Sequence, residues 1–279
     1  MTSQEFKQKC IELRKQDFTI KEITQVLKRS KTSVYFHVKN ISKTKALLAK
    51  IRENSLTHLN RIKPNLKGIS WTGRHCRGFQ EWTPELVNLI AHTIFDGEFN
   101  RTNTFYHNRS IKLINHFKES MKIIYDYEPA TYKDKNGVIR LGYYSVELTN
   151  FLREKSDYLV KNISLMSIDF QREFLKAFFD DEGSIYFQKK RNSRRVKGSQ
   201  YDDEILFLVQ RLLKNFDIES KVDARFHEII VSRRENLGKF AEEINFSPGV
   251  KVNGKRSNSI WKKDLEKRKI LSRALNSYL

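Results

Sequence analysis

Two carboxylates in this chain sit where a helix disfavours them. Asp96 ends the apolar run Leu89-Ile90-Ala91-His92-Thr93-Ile94-Phe95 and is followed at once by Gly97. Glu182 ends Leu175-Lys176-Ala177-Phe178-Phe179-Asp180-Asp181 and is followed by Gly183. The last turn of a helix carries partial negative charge, so an acid there costs roughly 0.3–1 kcal/mol. The glycine alone is ordinary, because past a helix end it takes a left-handed cap conformation cheaply. One such acid is compatible with an amphipathic helix carrying an exposed charge. Two at matching positions predict carboxylates held for chemistry.

The two nonapeptides resemble the motif of the LAGLIDADG homing endonucleases. The small third residue that lets two motif helices pack closely is Ala91 in one copy and Ala177 in the other. The usually small second residue is Ile90 and Lys176, a departure in both copies. The resemblance implies that Asp96 and Glu182, with the adjoining Gly97 and Gly183, form the metal site. Packed through the alanines, the two helices would bring the acids together, where they repel unless a cation lies between them. Mg2+ suits such an oxygen-only site, since it keeps waters and completes its shell with substrate phosphate. It would activate water and stabilise the attacking and leaving oxygens of a phosphodiester. The resemblance also implies a catalytic lysine after each half. The candidates are Lys161, in Lys161-Asn162-Ile163-Ser164, and Lys251, in Phe246-Ser247-Pro248-Gly249-Val250-Lys251. In the first, Ser164 replaces the family's usual proline.

The elements needed to position these residues are legible as a repeat. After the first motif helix comes a polar extended segment, Glu98 to Asn108. An amphipathic helix with Ile111, Ile114 and Phe117 follows, and then a hairpin turning at Asn136-Gly137. A helix around Leu148 and Phe151 closes the half. The second half repeats this order with a basic hairpin from Ser184 to Ser199, a helix near 201–216, a strand pair near 219–232, and a helix with Leu237 and Phe240. The expected fold is α+β: a pseudo-twofold pair of αββαββα units forming a DNA-binding saddle, preceded by a small all-α helix-turn-helix domain. Expected bounds are 1–45 for that domain, 46–82 for a basic helical linker and 83–279 for the two-repeat domain. The halves are about 83–165 and 166–260, with a basic helix at 261–279.

Two-stranded ribbons fit the major groove. In the second half Gln188, Lys189, Lys190, Arg191, Arg194, Arg195 and Lys197 make a dense basic ribbon. Arg101, Asn103, His107, Arg109, Lys133, Lys135 and Arg140 are sparser counterparts in the first. At the N-terminus, Thr2-x-x-Glu5 and Thr19-x-x-Glu22 are capping boxes and Ser30 caps a third helix. The inward positions are Phe6, Cys10 and Leu13, then Ile23, Val26 and Leu27, then Val34, Val38 and Ile41. This spacing resembles a resolvase-type helix-turn-helix, with Lys28 where the turn usually carries glycine. It leaves Lys31, Thr32, Ser33, Tyr35, His37 and Lys39 for phosphates and base edges.

Composition agrees with a polyanionic partner. The 279 residues hold 53 Lys plus Arg against 33 Asp plus Glu, a formal net charge of +20. Neutralising phosphates releases counterions and makes such binding strong and salt-sensitive. Cys10 and Cys76 are the two cysteines and have no paired spacing, which argues against a disulfide framework or a zinc site. A polar N-terminus and the lack of a long apolar run predict an intracellular protein, in a prokaryotic, viral or organellar host, without a membrane partner. The expected function is a site-specific endonuclease making a metal-dependent double-strand break in a long asymmetric DNA target. With both halves in one chain it would act as a monomer, without an obligate protein partner. The alternatives are an inactive DNA-binding regulator on the same fold and an intron maturase.

Overall fold

The computed structural model describes residues 2–62, 81–254 and 260–278. The chain divides into two compact units, Met1–Ser70 and Trp71–Leu279. Residues 63–80 of the expected linker lie outside the described residues.

In the first unit, helices α1 (Ser3–Lys15), α2 (Ile20–Leu27) and α3 (Lys31–Val38) start where the caps place them. Thr2 and Thr19 each close a capping box, and the Ser30 side chain accepts from the Ser33 N–H. Cys10, Ile23, Val34 and Val38 form their shared core. Val26 differs from expectation: it is 56% exposed, because the eight-residue α2 turns only one narrow face inward. Lys28 takes the left-handed conformation at φ +50° that glycine would adopt more cheaply. Helix α4 (Lys45–Ile62) is docked at its start. Leu47 is buried, the Thr44 hydroxyl donates to Asp17, and Lys50 pairs with Glu22 at 2.9 Å.

The second unit is built twice over. The first half runs α5 (Pro84–Phe95), β1 (Gly97–Phe99), β2 (Thr104–Asn108), α6 (Ile111–Tyr125), β3 (Ala130–Lys133), β4 (Ile139–Tyr143) and α7 (Val146–Asn162). The second runs α8 (Ile168–Asp181), β5 (Gly183–Gln188), β6 (Ser193–Ser199), α9 (Asp203–Lys214), β7 (Ser220–Asp223), β8 (Glu228–Ser232) and α10 (Arg234–Glu243), and α11 (Lys267–Asn276) follows. Each half folds a four-stranded antiparallel sheet of the same order, β1-β2-β4-β3 and β5-β6-β8-β7. The registers match as well, with Gly97 opposite Tyr106 and Gly183 opposite Gly198.

Both halves contribute to one continuous core, and α5 packed on α8 is its central contact. Ala91 and Ala177 are fully buried, as close helix packing requires. Adding 86 to a residue number relates α5 to α8, taking Asp96 to Glu182, His92 to Phe178 and Phe95 to Asp181. Two equivalent contacts therefore differ in kind. Phe95 meets the Phe178 ring at 5.1 Å, while its counterpart is His92 bonded to Asp181.

Three details depart from the sequence pattern. Ile111 is 63% exposed, since α6 turns Leu113, Ile114, Phe117 and Met121 inward instead. In α7 the next buried apolar residue after Leu148 is Leu152, with Phe151 only half-buried. The terminal helix begins at Lys267 rather than near Trp261, because the preceding residues run alongside 250–252. Val252 N–H donates to Leu265 and Lys267 N–H to Val250, both at 2.8 Å. No helix among the described residues is long and apolar enough to cross a membrane.

Candidate active site at the paired helix ends

Asp96 and Glu182 are the C-terminal caps of α5 and α8. Asp96 N–H donates to the His92 carbonyl at 3.1 Å and Glu182 N–H to that of Phe178 at 2.8 Å. Each acid's own carbonyl accepts from the neighbouring strand, from His107 N–H at 3.0 Å and Ser199 N–H at 3.3 Å. The acids are thus fixed between a helix end and a strand. The glycines serve this turn in a way the sequence did not indicate. Neither Gly97 nor Gly183 has a positive φ, so the left-handed cap is not formed. A Cβ would instead lie 2.0 Å from the Thr93 carbonyl oxygen at position 97, and 2.1 Å from that of Phe179 at position 183. Only glycine lets the chain pass directly from helix to strand.

Both carboxylates are half-buried. Burial, reinforced by Asp181 and opposed by His92, Asn108 and Lys267, pushes Asp96 up to about 7. Burial, then the charges of Asp96 and Asp181, pushes Glu182 up to about 8. Asp96 thus acts on Glu182 across the two helix ends, as like charges do when close.

A buried polar network holds Asp96. The Asn108 side-chain amide donates to Asp96 Oδ2 at 2.7 Å and to Asp181 Oδ1 at 3.1 Å. Asn108 Oδ1 accepts from Ser110 N–H at 2.8 Å. Asp181, with its side chain fully enclosed, also accepts from the Tyr106 hydroxyl at 2.9 Å and shares a proton with His92 Nδ1 at 2.7 Å. Burial drives His92 down to about 4 and Asp181 up. Further along the same interface, Asn88 donates to Glu173 at 2.9 Å and its oxygen meets His116 at 3.0 Å.

The cation facing these acids is Lys267, from α11. It is 6% exposed and its ammonium donates to the carbonyls of Asp180 at 2.7 Å and Phe179 at 3.2 Å, the negative end of α8. Burial pulls its pKa down, while Asp180, Asp181, Asp96 and Glu182 oppose that shift. Asp180 is buried too; one of its oxygens accepts from Ser247 N–H at 2.8 Å and the other has no partner. Lys161, in the last turn of α7, and Lys251 are both exposed, and neither bonds to Asp96 or Glu182.

The other expected contact residues are dispersed. Lys31, Thr32, Ser33, Tyr35 and Lys39 are exposed on α3, while His37 packs against Phe6 and Phe36. Arg101 and Asn103 lie in the β1–β2 turn, and Arg109, Lys133 and Lys135 are exposed. Arg140 stacks on the Phe105 ring at 3.5 Å and, with His107, pairs with Glu98. In the second half Gln188 ends β5, while Lys189, Lys190 and Arg191 form the hairpin tip. Arg195 and Lys197 share the exposed face of β6, with Lys197 paired to Glu228 at 2.6 Å. Arg194 points the other way. It is buried and bonds Ser277 and Asn192, with Tyr278 beneath its guanidinium at 4.3 Å, so strand alternation uses it to anchor the C-terminal residues.

Asp96 and Glu182 are the two oxygen donors a cation would find here. Among the described residues no cluster of three or more His, Cys, Asp or Glu side chains is arranged to hold a metal unaided. Two mutually repelling carboxylates and no nitrogen or sulfur ligand fit a hard cation that keeps water in its shell.

Residues 169–245, from α8 through α10, match the LAGLIDADG-like domain family. Solved structures similar to the chain include mesophilic variants of the homing endonuclease I-DmoI. That match has 20% identity and a TM-score of 0.46, and covers 59% of this chain and 91% of the other. I-DmoI in complex with DNA and Mn is similar at 19% identity and a TM-score of 0.45, covering 58% and 96%. Full-length DUF199/WhiA from Thermatoga maritima is similar at 13% identity and a TM-score of 0.48, covering 72% and 63%. No curated protein matches the chain.

Proposed function

We propose that the protein is a site-specific endonuclease that makes a double-strand break in DNA with the help of a divalent cation such as Mg2+. The observation that carries this reading is the pair of helix-end acids. Asp96 and Glu182 sit at equivalent positions of two packed helices, half-buried, with ionisation opposed by burial at both and by the charge of Asp96 at Glu182. A fold gains nothing from such a pair, and a cation held by these carboxylates would relieve the repulsion. The bound cation supplies Lewis-acid activation of water and charge stabilisation at the scissile phosphate. Asp96 and Glu182 hold it, Asn108 fixes Asp96, and Lys267 steadies the end of the helix that carries Glu182. Arg195, Lys197, Lys189 and Lys190 in one half, and Arg140, Lys133 and Lys135 in the other, fit the phosphates of duplex DNA. The net charge of +20 supports the same partner.

One chain carries both acids, so it acts as a monomer, and the unlike halves read an asymmetric target. Residues 1–45 serve as a second DNA-binding domain through α3. Lys161 and Lys251 remain the candidate catalytic lysines, able to reach the phosphate only if substrate draws them in. The α1–α3 trio also supports a second reading, a DNA-binding regulator without cleavage. Incubation with a randomised duplex library, with and without Mg2+, separates the two. Metal-dependent cutting that Asp96→Asn and Glu182→Gln each abolish, with DNA affinity retained, supports the endonuclease. Binding without cutting by the wild type overturns it.

A further inference from the structure

We infer that Asp181, a residue of the second half, is the positioning residue for Asp96, the acid of the first half, and acts through Asn108. Three observations carry this. Asn108 is the only described side chain bonded to the Asp96 carboxylate, at 2.7 Å. The same amide nitrogen is drawn toward Asp181 Oδ1 at 3.1 Å, and Asp181 is itself fixed from two further sides by Tyr106 at 2.9 Å and His92 at 2.7 Å. The Asp181 side chain is also fully enclosed.

The equivalent restraint is missing at the other acid. The residue related to Asp181 is Phe95, which supplies no acceptor. The residue related to Asn108 through the strand register is Gln200, whose Oε1 accepts from Tyr201 N–H at 2.8 Å instead. Among the described residues no side chain bonds to the Glu182 carboxylate. Asp181 is therefore not needed to complete either repeat; it is an addition to α8 that serves the opposite helix end. Side chains that orient a ligating or reacting group commonly change activity or metal affinity by about 10–100-fold when removed.

The test compares Asp181→Leu, similar in size without an acceptor, with Asp181→Asn, which keeps the accepting oxygen. Solvent exchange of the Asn108 side-chain amide protons, followed by NMR on the metal-free full chain, reads the restraint directly. Exchange at least about 10-fold faster in Asp181→Leu, restored in Asp181→Asn, is expected. A packing role alone would lower the melting temperature of Asp181→Leu and leave that exchange unchanged, which overturns the inference. If Asp181→Leu does not fold, His92→Phe decides. It keeps a ring against Tyr106 and removes the 2.7 Å bond to Asp181 without removing any bond to Asn108, so exchange should rise in the same direction by a smaller factor. No rise overturns the inference. A kinetic arm rests on the endonuclease reading: the single-turnover cutting rate should fall about 10–100-fold in Asp181→Leu at unchanged DNA affinity and recover in Asp181→Asn. A wild type that cuts nothing defeats that reading alone, since the amide measurement still decides the role of Asp181.

Discussion

Replacing Asp96 by Asn should make the metal-free protein more stable at high pH. An aspartate ordinarily ionises near 3.8, and in the folded chain Asp96 is held to about 7. The folded state therefore keeps its proton over a range in which the unfolded state has lost it. Stability falls as pH rises from about 4, and the loss levels off above about 7. The difference corresponds to at most about 4 kcal/mol. Water reaching a half-buried carboxylate, and sharing of the repulsion with Glu182, reduce it to about 1–3 kcal/mol. The amide oxygen introduced by this substitution can still accept from Asn108, so the packing is kept while the charge is removed. Urea unfolding in EDTA at pH 5.0 and pH 8.5, followed by tryptophan fluorescence, measures this. Trp71, Trp82 and Trp261 all lie in the second unit, so the signal reports that unit alone. The stability advantage of Asp96→Asn over wild type should widen by about 0.5–2 kcal/mol between the two pH values, part of the loss being already complete at pH 5.0, with an unchanged denaturant slope. Added Mg2+ should raise wild type more than the variant at pH 8.5. A gap that stays flat between pH 5.0 and 8.5 would refute the picture of two acids forced together.

Gly183→Ala should destabilise the second unit by about 2–4 kcal/mol in urea unfolding, because its Cβ meets a helix carbonyl and the backbone must shift. Ala177→Leu should cost about 1–3 kcal/mol by overfilling the α5–α8 contact, and an unchanged midpoint would place the two helices further apart than described. Lys267→Met, which deprives the α8 carbonyls of a charged donor, should lower stability by about 1–3 kcal/mol, with Lys267→Arg recovering less than wild type because the larger head does not fit the enclosed site. Deleting residues 1–62 should reduce both DNA affinity and the slope of affinity against salt while metal-dependent cutting persists at low salt; loss of cutting by a folded truncation counts against the division of labour.

The repeat was legible because each half states its elements in local chemistry. Thr83, Ser145 and Asp202 cap their helices, Asn136-Gly137 turns a hairpin with Gly137 at φ +80°, and β6 and β8 bury every second residue. Asp96 and Glu182 were legible because an acid at a helix C-terminus contradicts its local environment. What escaped was long-range. His92 interrupts an apolar run and Asp181 stands beside a residue already singled out, yet only the packing of α5 on α8 makes them partners. Lys267 is one lysine in a basic terminal stretch and gave no signal at all. Arg194 was misplaced for a related reason: a basic ribbon has two faces, and charge density alone does not tell which arginine turns inward.

The mismatch between the two sides of the α5–α8 contact determines which halves can recognise each other. Were α8 to meet a second α8, symmetry would set Asp181 against Phe178 twice, and each enclosed acid would lose the His92 bond it has now. Glu173 would face the Phe174 position in place of its donor Asn88. Two copies of α5 would likewise leave His92 against Phe95. A buried polar group stripped of its partner costs about 1–3 kcal/mol, and self-pairing incurs that penalty symmetrically. The halves are thus an orthogonal pair. Such a pair resists exchange between neighbouring chains, and once separated into two polypeptides its members should prefer each other over copies of themselves.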